Sequence, residues 1–245
     1  MKQNKNEEKG NERMKLSELT EEKLANLFDH TCLKAGAVKA DFDLLCREAK
    51  ENGFKMVAIN SSPVAYCKSL LKDTPVHVGA AIGFPLGQTT IETKCFETQD
   101  AILHGADEID YVINIGELKN GNYDYIEEEM RQICDICRKA GVLSKVIFEN
   151  CYLEKDEIRK AAEISKKVKP DFVKTSTGFG TSGATAEDVR LMKEVVGEEI
   201  KVKAAGGIRD WETCRQMIEA GAERIGTSSS FKILEGYREA LKSGY

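Results

Sequence analysis

No stretch of this sequence approaches the ~20 consecutive apolar residues needed to cross a bilayer. Basic excess is also lacking, since the formal net charge is −5. The first absence argues against a membrane span. The second leaves nothing that would favour nucleic acid or an anionic membrane surface as a partner. The opening stretch, MKQNKNEEKGNERMK, has no apolar segment of the kind a secretory leader carries. Residues 1–15 are therefore expected to be a disordered extension, and the protein to be cytoplasmic. Nucleotide signatures are missing as well. GFPLGQTT (83–90) has two glycines but not G-x-G-x-x-G, and no G-K-[ST] loop occurs. The three histidines, His30, His77 and His104, form no ligand cluster along the chain. With no Pro- or Gly-rich linker to divide it, the chain is expected to form one domain over 16–245.

The eight cysteines are scattered through predicted helices and strands. Without a leader, free thiols in a reducing compartment are the simplest expectation. Cys134 and Cys137 make a C-x-x-C, but it falls in a long amphipathic helix with no second pair to complete a zinc site.

The chain does contain a repeating unit: an amphipathic helix, a glycine stop, then a short Val/Ile-rich strand. REAKENGFKMVAIN (47–60), AILHGADEIDYVIN (101–114), CRKAGVLSKVIFEN (137–150) and MIEAGAERIGTSSS (217–230) all show it. Glycine suits the left-handed position that closes a helix. Strand–helix alternation at this spacing argues for βαβ units and a parallel sheet. Eight strands are predicted, near 27–32, 55–60, 76–82, 108–114, 144–149, 171–176, 200–205 and 224–228. Helices fill the gaps near 39–51, 63–71, 89–104, 123–140, 155–168, 185–196, 211–220 and 231–242. This count fits a closed (β/α)8 TIM barrel, α/β in class. A further helix near 20–26 is placed to cap the barrel's bottom.

Active sites of such barrels lie at the C-terminal ends of the strands, so polar groups inside or just past apolar strands are candidates. Lys174 ends strand six, within DFVKTSTGFG (171–180). Strand seven, IKVKAAGG (200–207), carries Lys201 and Lys203 on one face, Lys203 the deeper. Strands six and seven should be neighbours, bringing Lys174 and Lys203 together. Mutual repulsion and burial both disfavour an ammonium, and a neutral lysine is a nucleophile for carbonyls. Strand four places Asp110, Val112 and Asn114 on one face, and an inward Asp needs a partner. Strand one offers Asp29 and Thr31, and strand five offers Lys145. A lysine at a strand end commonly just reaches water, which remains the plain alternative for Lys145 and Lys201.

Three loops at the same end of neighbouring strands are built of small residues: TSTGFGTSG (175–183), Gly206-Gly207, and GTSSS (226–230) leading into a helix. Backbone N–H groups approach an anion closely there, and a helix N-terminus favours negative charge. Ordinary turns and N-capping by Ser228 to Ser230 would use the same residues, but their grouping points to a phosphate site.

Together, DHTCLK, IGFPLG, ADEIDYVIN, DFVKTSTGF, VKAAGGIR and RIGTSSS resemble the deoxyribose-phosphate aldolase family, in order, from about Leu24 to Phe231. The resemblance implies a metal-free class I aldolase that needs no cofactor. Its expected reaction is reversible cleavage of 2-deoxy-D-ribose 5-phosphate to D-glyceraldehyde 3-phosphate and acetaldehyde, a step of deoxyribonucleotide catabolism. By motif, Lys174 would form the Schiff base, Lys203 would perturb it, and Asp110 would exchange protons with them. Gly178, Gly206, Gly207, Ser228 and Ser229 match phosphate-loop positions. Asp29, Thr31 and Lys145 match residues lining the site. Ala58 stands where some relatives have cysteine, and Phe179 where some have lysine. A monomer or homodimer is implied. The alternatives are a Schiff-base aldolase for another sugar phosphate, and a silent phosphosugar-binding barrel. The latter should have lost Lys174, Lys203 or Asp110, and all three are present.

Overall fold

The computed structural model describes residues 16–244. The predicted disordered extension, 1–15, lies outside them. Eight short strands are present: β1 (Phe28–Thr31), β2 (Met56–Asn60), β3 (His77–Ile82), β4 (Glu108–Val112), β5 (Leu143–Ile147), β6 (Phe172–Lys174), β7 (Lys201–Ala205) and β8 (Arg224–Thr227). Each pairs in parallel with its sequence neighbours, and β1 closes the barrel against β8. The predicted TIM barrel is therefore the observed fold.

The helices are α1 (Glu21–Ala25), α2 (Lys39–Asn52), α3 (Val64–Leu70), α4 (Ile91–Leu103), α5 (Ile115–Lys119), α6 (Tyr123–Ala140), α7 (Lys155–Val168), α8 (Ala186–Val196), α9 (Trp211–Glu219) and α10 (Ser230–Lys242). The glycine stops behave as the pattern implies. Gly53 and Gly141 end α2 and α6 in the left-handed conformation, at φ 66° and 68°, where a Cβ would be strained. In α6, Ile126, Met130, Ile133, Cys134 and Cys137 recur at helical spacing and are buried. The C-x-x-C thus belongs to a packing face, and burial pushes both thiols up. All eight cysteines are free.

Along each strand, alternate residues face opposite sides of the sheet. Val57, Ile59, Val78, Ile82, Ile109, Tyr111, Val146, Val173, Val202 and Ile225 belong to the buried apolar layer that includes the helices. Burial of that surface is worth roughly 25 cal/mol per Å². The other parity set points into the lumen and carries the charged side chains.

The helix near 20–26 forms as α1, with Leu24 and Ala25 buried. It lies against α10, where Tyr237 Oη donates to the Leu19 carbonyl at 2.5 Å and Arg238 pairs with Glu21. Beside it, Leu16, Asn26 and Leu27 form one wall of a cavity of about 850 Å³ at the strands' N-terminal ends, lined also by Phe172, Lys201 and Arg224. Helix α5 was not expected. It starts where the Asn114 side chain accepts a hydrogen bond from the Glu117 N–H. Asn114 is therefore an N-cap and not a strand residue.

Among the described residues no helix is long and apolar enough to cross a membrane.

Candidate active site

The barrel register sets the site. Lys174 and Lys203 are direct partners across β6 and β7, and Asp110 and Lys145 across β4 and β5. All four side chains turn inward and meet. Asp110 is the hub. Its Oδ2 accepts from Lys174 Nζ at 2.8 Å and from Lys203 Nζ at 2.6 Å, and its Oδ1 accepts from Lys145 Nζ at 2.6 Å. Lys203 also reaches Asp29 Oδ2 at 2.5 Å. Below this level, Lys145 pairs with Glu108 at 2.5 Å, and Arg224 bridges Asp29 and Glu108.

This buried column holds four cations (Lys145, Lys174, Lys203, Arg224) against three carboxylates (Asp29, Glu108, Asp110). Among these directly paired groups one cation is in excess, with Glu149 a further buried carboxylate near Lys174, and a buried uncompensated charge is costly. The excess is relieved at Lys174. Burial, the largest influence, brings its pKa down to about 8; Asp110 opposes this, while Lys203 and Lys145 add to it. Burial alone would raise Asp110, but Lys145, Lys174 and Lys203 hold it well below the usual carboxylate range. Lys145 moves the other way: burial is outweighed by Asp110, Glu108 and Asp29, which keep it protonated. Lys174 and Lys145 thus move in opposite directions within one cluster, and Lys174 is poised to lose its proton near neutrality.

Lys174 also has access. A cavity of about 440 Å³ opens at the C-terminal ends of the strands. It is lined by Lys174, Thr31, Gly178, Gly206, Gly207 and Ser228, with Lys34 and Arg209 on its wall. Gly206 sits at φ 83°, and a Cβ there would stand 3.0 Å from the Gly183 Cα and 3.3 Å from the Gly178 Cα. The β6 and β7 loops touch backbone to backbone, leaving amides free to approach a ligand. The β8 loop delivers the N-terminus of α10 to the same rim. Glu149, just past β5, is buried in a left-handed conformation at φ 58°. It accepts from the Thr177 N–H at 3.0 Å and from the Thr177 hydroxyl, and that hydroxyl accepts from the Phe179 N–H at 3.0 Å. The loop carrying Gly178 is thereby pinned.

The structure joins Lys174, Lys203 and Asp110 as the sequence implies. Thr31, Gly178, Gly206, Gly207 and Ser228 line the cavity. Asp29 and Lys145 contact Lys203 and Asp110 directly, and like those two they stand behind Lys174 rather than in the cavity lining. Ser229 is the N-cap residue of α10, without a side-chain capping bond and outside the lining. Lys201 faces the opposite cavity, with its ammonium 5.8 Å from the centre of the Phe172 ring. Sequence reading missed Glu108 and Arg224. The signal for Glu108 was there, since period two from Asp110 leads to it.

This arrangement suits carbonyl chemistry: an amine partly neutral near pH 8, a carboxylate and a second ammonium touching it, and small-residue loops across the cavity. Comparison with known proteins agrees. The model of the DeoC/LacD family aldolases matches residues 23–235. The deoxyribose-phosphate aldolase of Lactobacillus acidophilus is 57% identical over 221 residues, 90% of this chain and 93% of that one. That of Bacteroides thetaiotaomicron is 51% identical over 237 residues, covering 97% and 99%. Among solved structures, the tetrameric deoxyribose phosphate aldolase of Aeropyrum pernix superposes with a TM-score of 0.84 at 31% identity, covering 90% of this chain and 93% of that one. A buried lysine of lowered pKa inside a closed barrel and a match along nearly the whole folded chain lead to one conclusion: this chain belongs to the DeoC/LacD family of aldolases.

Proposed function

We propose that this chain reversibly cleaves 2-deoxy-D-ribose 5-phosphate to D-glyceraldehyde 3-phosphate and acetaldehyde through an imine on Lys174. The observation that carries the proposal is the difference between the three buried lysines: only Lys174 both lines the upper cavity and has its pKa brought down to about 8.

The neutral Lys174 amine adds to the C1 aldehyde of the open-chain sugar, and loss of water gives a protonated imine. That imine is the electron sink. Removal of the C3 hydroxyl proton lets the C2–C3 bond break, its electron pair passing to the imine as an enamine. The new carbonyl at C3 leaves as glyceraldehyde 3-phosphate. The proton then returns to the terminal enamine carbon, and water hydrolyses the resulting imine to acetaldehyde and free Lys174. Asp110 Oδ2, shared between Lys174 and Lys203, is the acceptor nearest the nucleophile, and Lys203 is the adjoining donor. General acid–base help of this kind is typically worth ~10²–10⁴-fold. The glycines at 178, 206 and 207, with Ser228 and the α10 N-terminus, are assigned the distal phosphate.

The same reading treats residues 16–245 as one domain. It also places the chain in a reducing, cytoplasmic setting, which suits its free thiols. A homodimer is the proposed assembly, against which the tetrameric Aeropyrum neighbour stands as the alternative; light scattering distinguishes them.

The test is release of glyceraldehyde 3-phosphate from 2-deoxyribose 5-phosphate, followed with a coupled dehydrogenase. Turnover lost on Lys174→Ala is the expected result. Binding without turnover would mean a silent barrel, and faster turnover of a different sugar phosphate would reassign the substrate.

A further inference from the structure

The charge column does not stop at the catalytic lysine. It runs the depth of the barrel, so that Lys174 lines the upper cavity and Arg224 lines the lower one. At the lower end stands Glu108, fully buried at the first position of β4. Every face of its carboxylate is engaged. His77 Nδ1, from the first position of β3, is 2.6 Å from Oε1. Lys145 Nζ, from β5, is 2.5 Å from Oε2, and Arg224, from β8, reaches both oxygens at 3.2–3.3 Å. Asp29 of β1 faces it across Arg224, and Lys55 Nζ lies 3.5 Å from His77 Nε2. Contacts therefore run unbroken from His77, which is about one-third exposed, through Glu108, Lys145 and Asp110 to Lys174.

The mechanism above makes no use of Glu108 or His77. A buried carboxylate with three cationic or ionisable partners is expensive to keep, and Met56 shows that the lumen accepts an apolar side chain at the same level: its Sδ is 3.5 Å from Lys145 Nζ. We propose that Glu108 and His77, at the opposite face of the barrel from the substrate cavity, are positioning residues for Lys174, acting through Lys145 and Asp110. Glu108 takes up part of the charge of Lys145 and Arg224, which leaves Asp110 Oδ2 available to Lys174 and Lys203. Removing that one negative charge leaves four cations against two carboxylates. With less negative charge in the column, Lys174 then holds its proton less strongly.

This inference rests on Lys174 being the imine-forming residue. Its test is the acid limb of the pH profile of kcat/KM for 2-deoxyribose 5-phosphate cleavage, with borohydride-trapped adducts mapped by peptide mass in every variant. Glu108→Gln keeps shape and removes charge. The limb should move to lower pH by on the order of one unit, the scale of one buried charge acting at an effective dielectric near 20. Lys203→Leu removes a positive charge and should move the limb to higher pH. A purely structural Glu108 would weaken folding without moving the limb. If Glu108→Gln does not fold, His77→Lys and His77→Gln decide. The first fixes a cation beside Glu108 and the second a neutral donor, so the Lys variant should have its limb at lower pH than the Gln variant. Coincident limbs, with the adduct still on Lys174, would overturn the inference while leaving the aldolase reading intact. An adduct missing from Lys174 in the unmodified protein would overturn both.

Discussion

The two sides of the barrel wall are built on opposite principles. Between sheet and helices lie Val57, Ile59, Val78, Ile109, Val146 and their neighbours, a predominantly aliphatic layer in which Lys94 and Glu129 form a buried ion pair. Inside the lumen, where barrels of this kind commonly stack branched aliphatic residues, sit Asp29, Glu108, Asp110, Lys145, Lys174, Lys203 and Arg224, all at most 5% exposed. The outer layer gains free energy from the area it removes from water. The inner column gains little, because each buried charge gives up hydration about as valuable as the attraction that replaces it. Stability therefore resides in the outer layer and reactivity in the inner one, and the two parity sets of the same strands serve different ends.

Substitutions can break this division at graded strength. The largest effect belongs to Lys174→Ala. With the proposed nucleophile gone, the covalent route is closed, and turnover should fall by at least ~10⁴-fold. The melting temperature should hold, because the excess cation has been removed; a coupled assay beside a thermal scan reads both. Next comes Lys203→Leu. It equalises cations and carboxylates, so Lys174 stays protonated, and its bond to Asp110 has no competitor at Oδ2. Turnover at neutral pH should drop by ~10²–10⁴-fold. The neutral amine of Lys174 is present above its pKa of about 8 and lost below it. Raising that pKa should therefore restore part of the activity only at higher pH, and a profile from pH 6 to 10 checks the sign.

A smaller effect is expected where the cavity meets phosphate. Gly206→Ala forces a Cβ at φ 83° toward Gly183 and Gly178. Strain of ~1–3 kcal/mol is usual for such a position, and a loop displaced by that amount should raise KM for the phosphorylated sugar roughly tenfold. Cleavage of unphosphorylated 2-deoxyribose should be much less affected, which separates loss of the anion site from general damage. The smallest effect on chemistry belongs to the outer layer. Ile109→Ala, one residue from Asp110 but on the other face, removes a fully buried side chain. It should cost ~2–5 kcal/mol of stability in denaturant titrations while leaving kcat of the folded fraction within about twofold of the parent. A large drop in kcat there would show that the two layers are not independent.

Much of this division was readable along the chain. Val/Ile strands closed by glycine stops specify eight βα units, and period-two reasoning puts Lys174, Lys203 and Asp110 inside. The remainder depended on depth, which a one-dimensional pattern does not record. Asp29 and Thr31 share a face, yet only Thr31 reaches the cavity, because the strand carries Asp29 one layer down. Lys145 looks like any lysine near a strand start until the register sets it beside Asp110. Glu108 and Arg224 stand at the first positions of their strands, where a charged residue reads as an ordinary strand entry. Helix α5 escaped because NIGELKNGN mixes turn residues with too short an apolar period, and its start depends on one Asn114 cap.

The most direct test of the central claim, that one lysine of the buried set is chemically singled out, is borohydride reduction in the presence of acetaldehyde followed by peptide mass mapping. The account predicts a single reduced adduct on Lys174, with Lys145 and Lys203 unmodified. An adduct on either of those two, or equal labelling of all three, would contradict it.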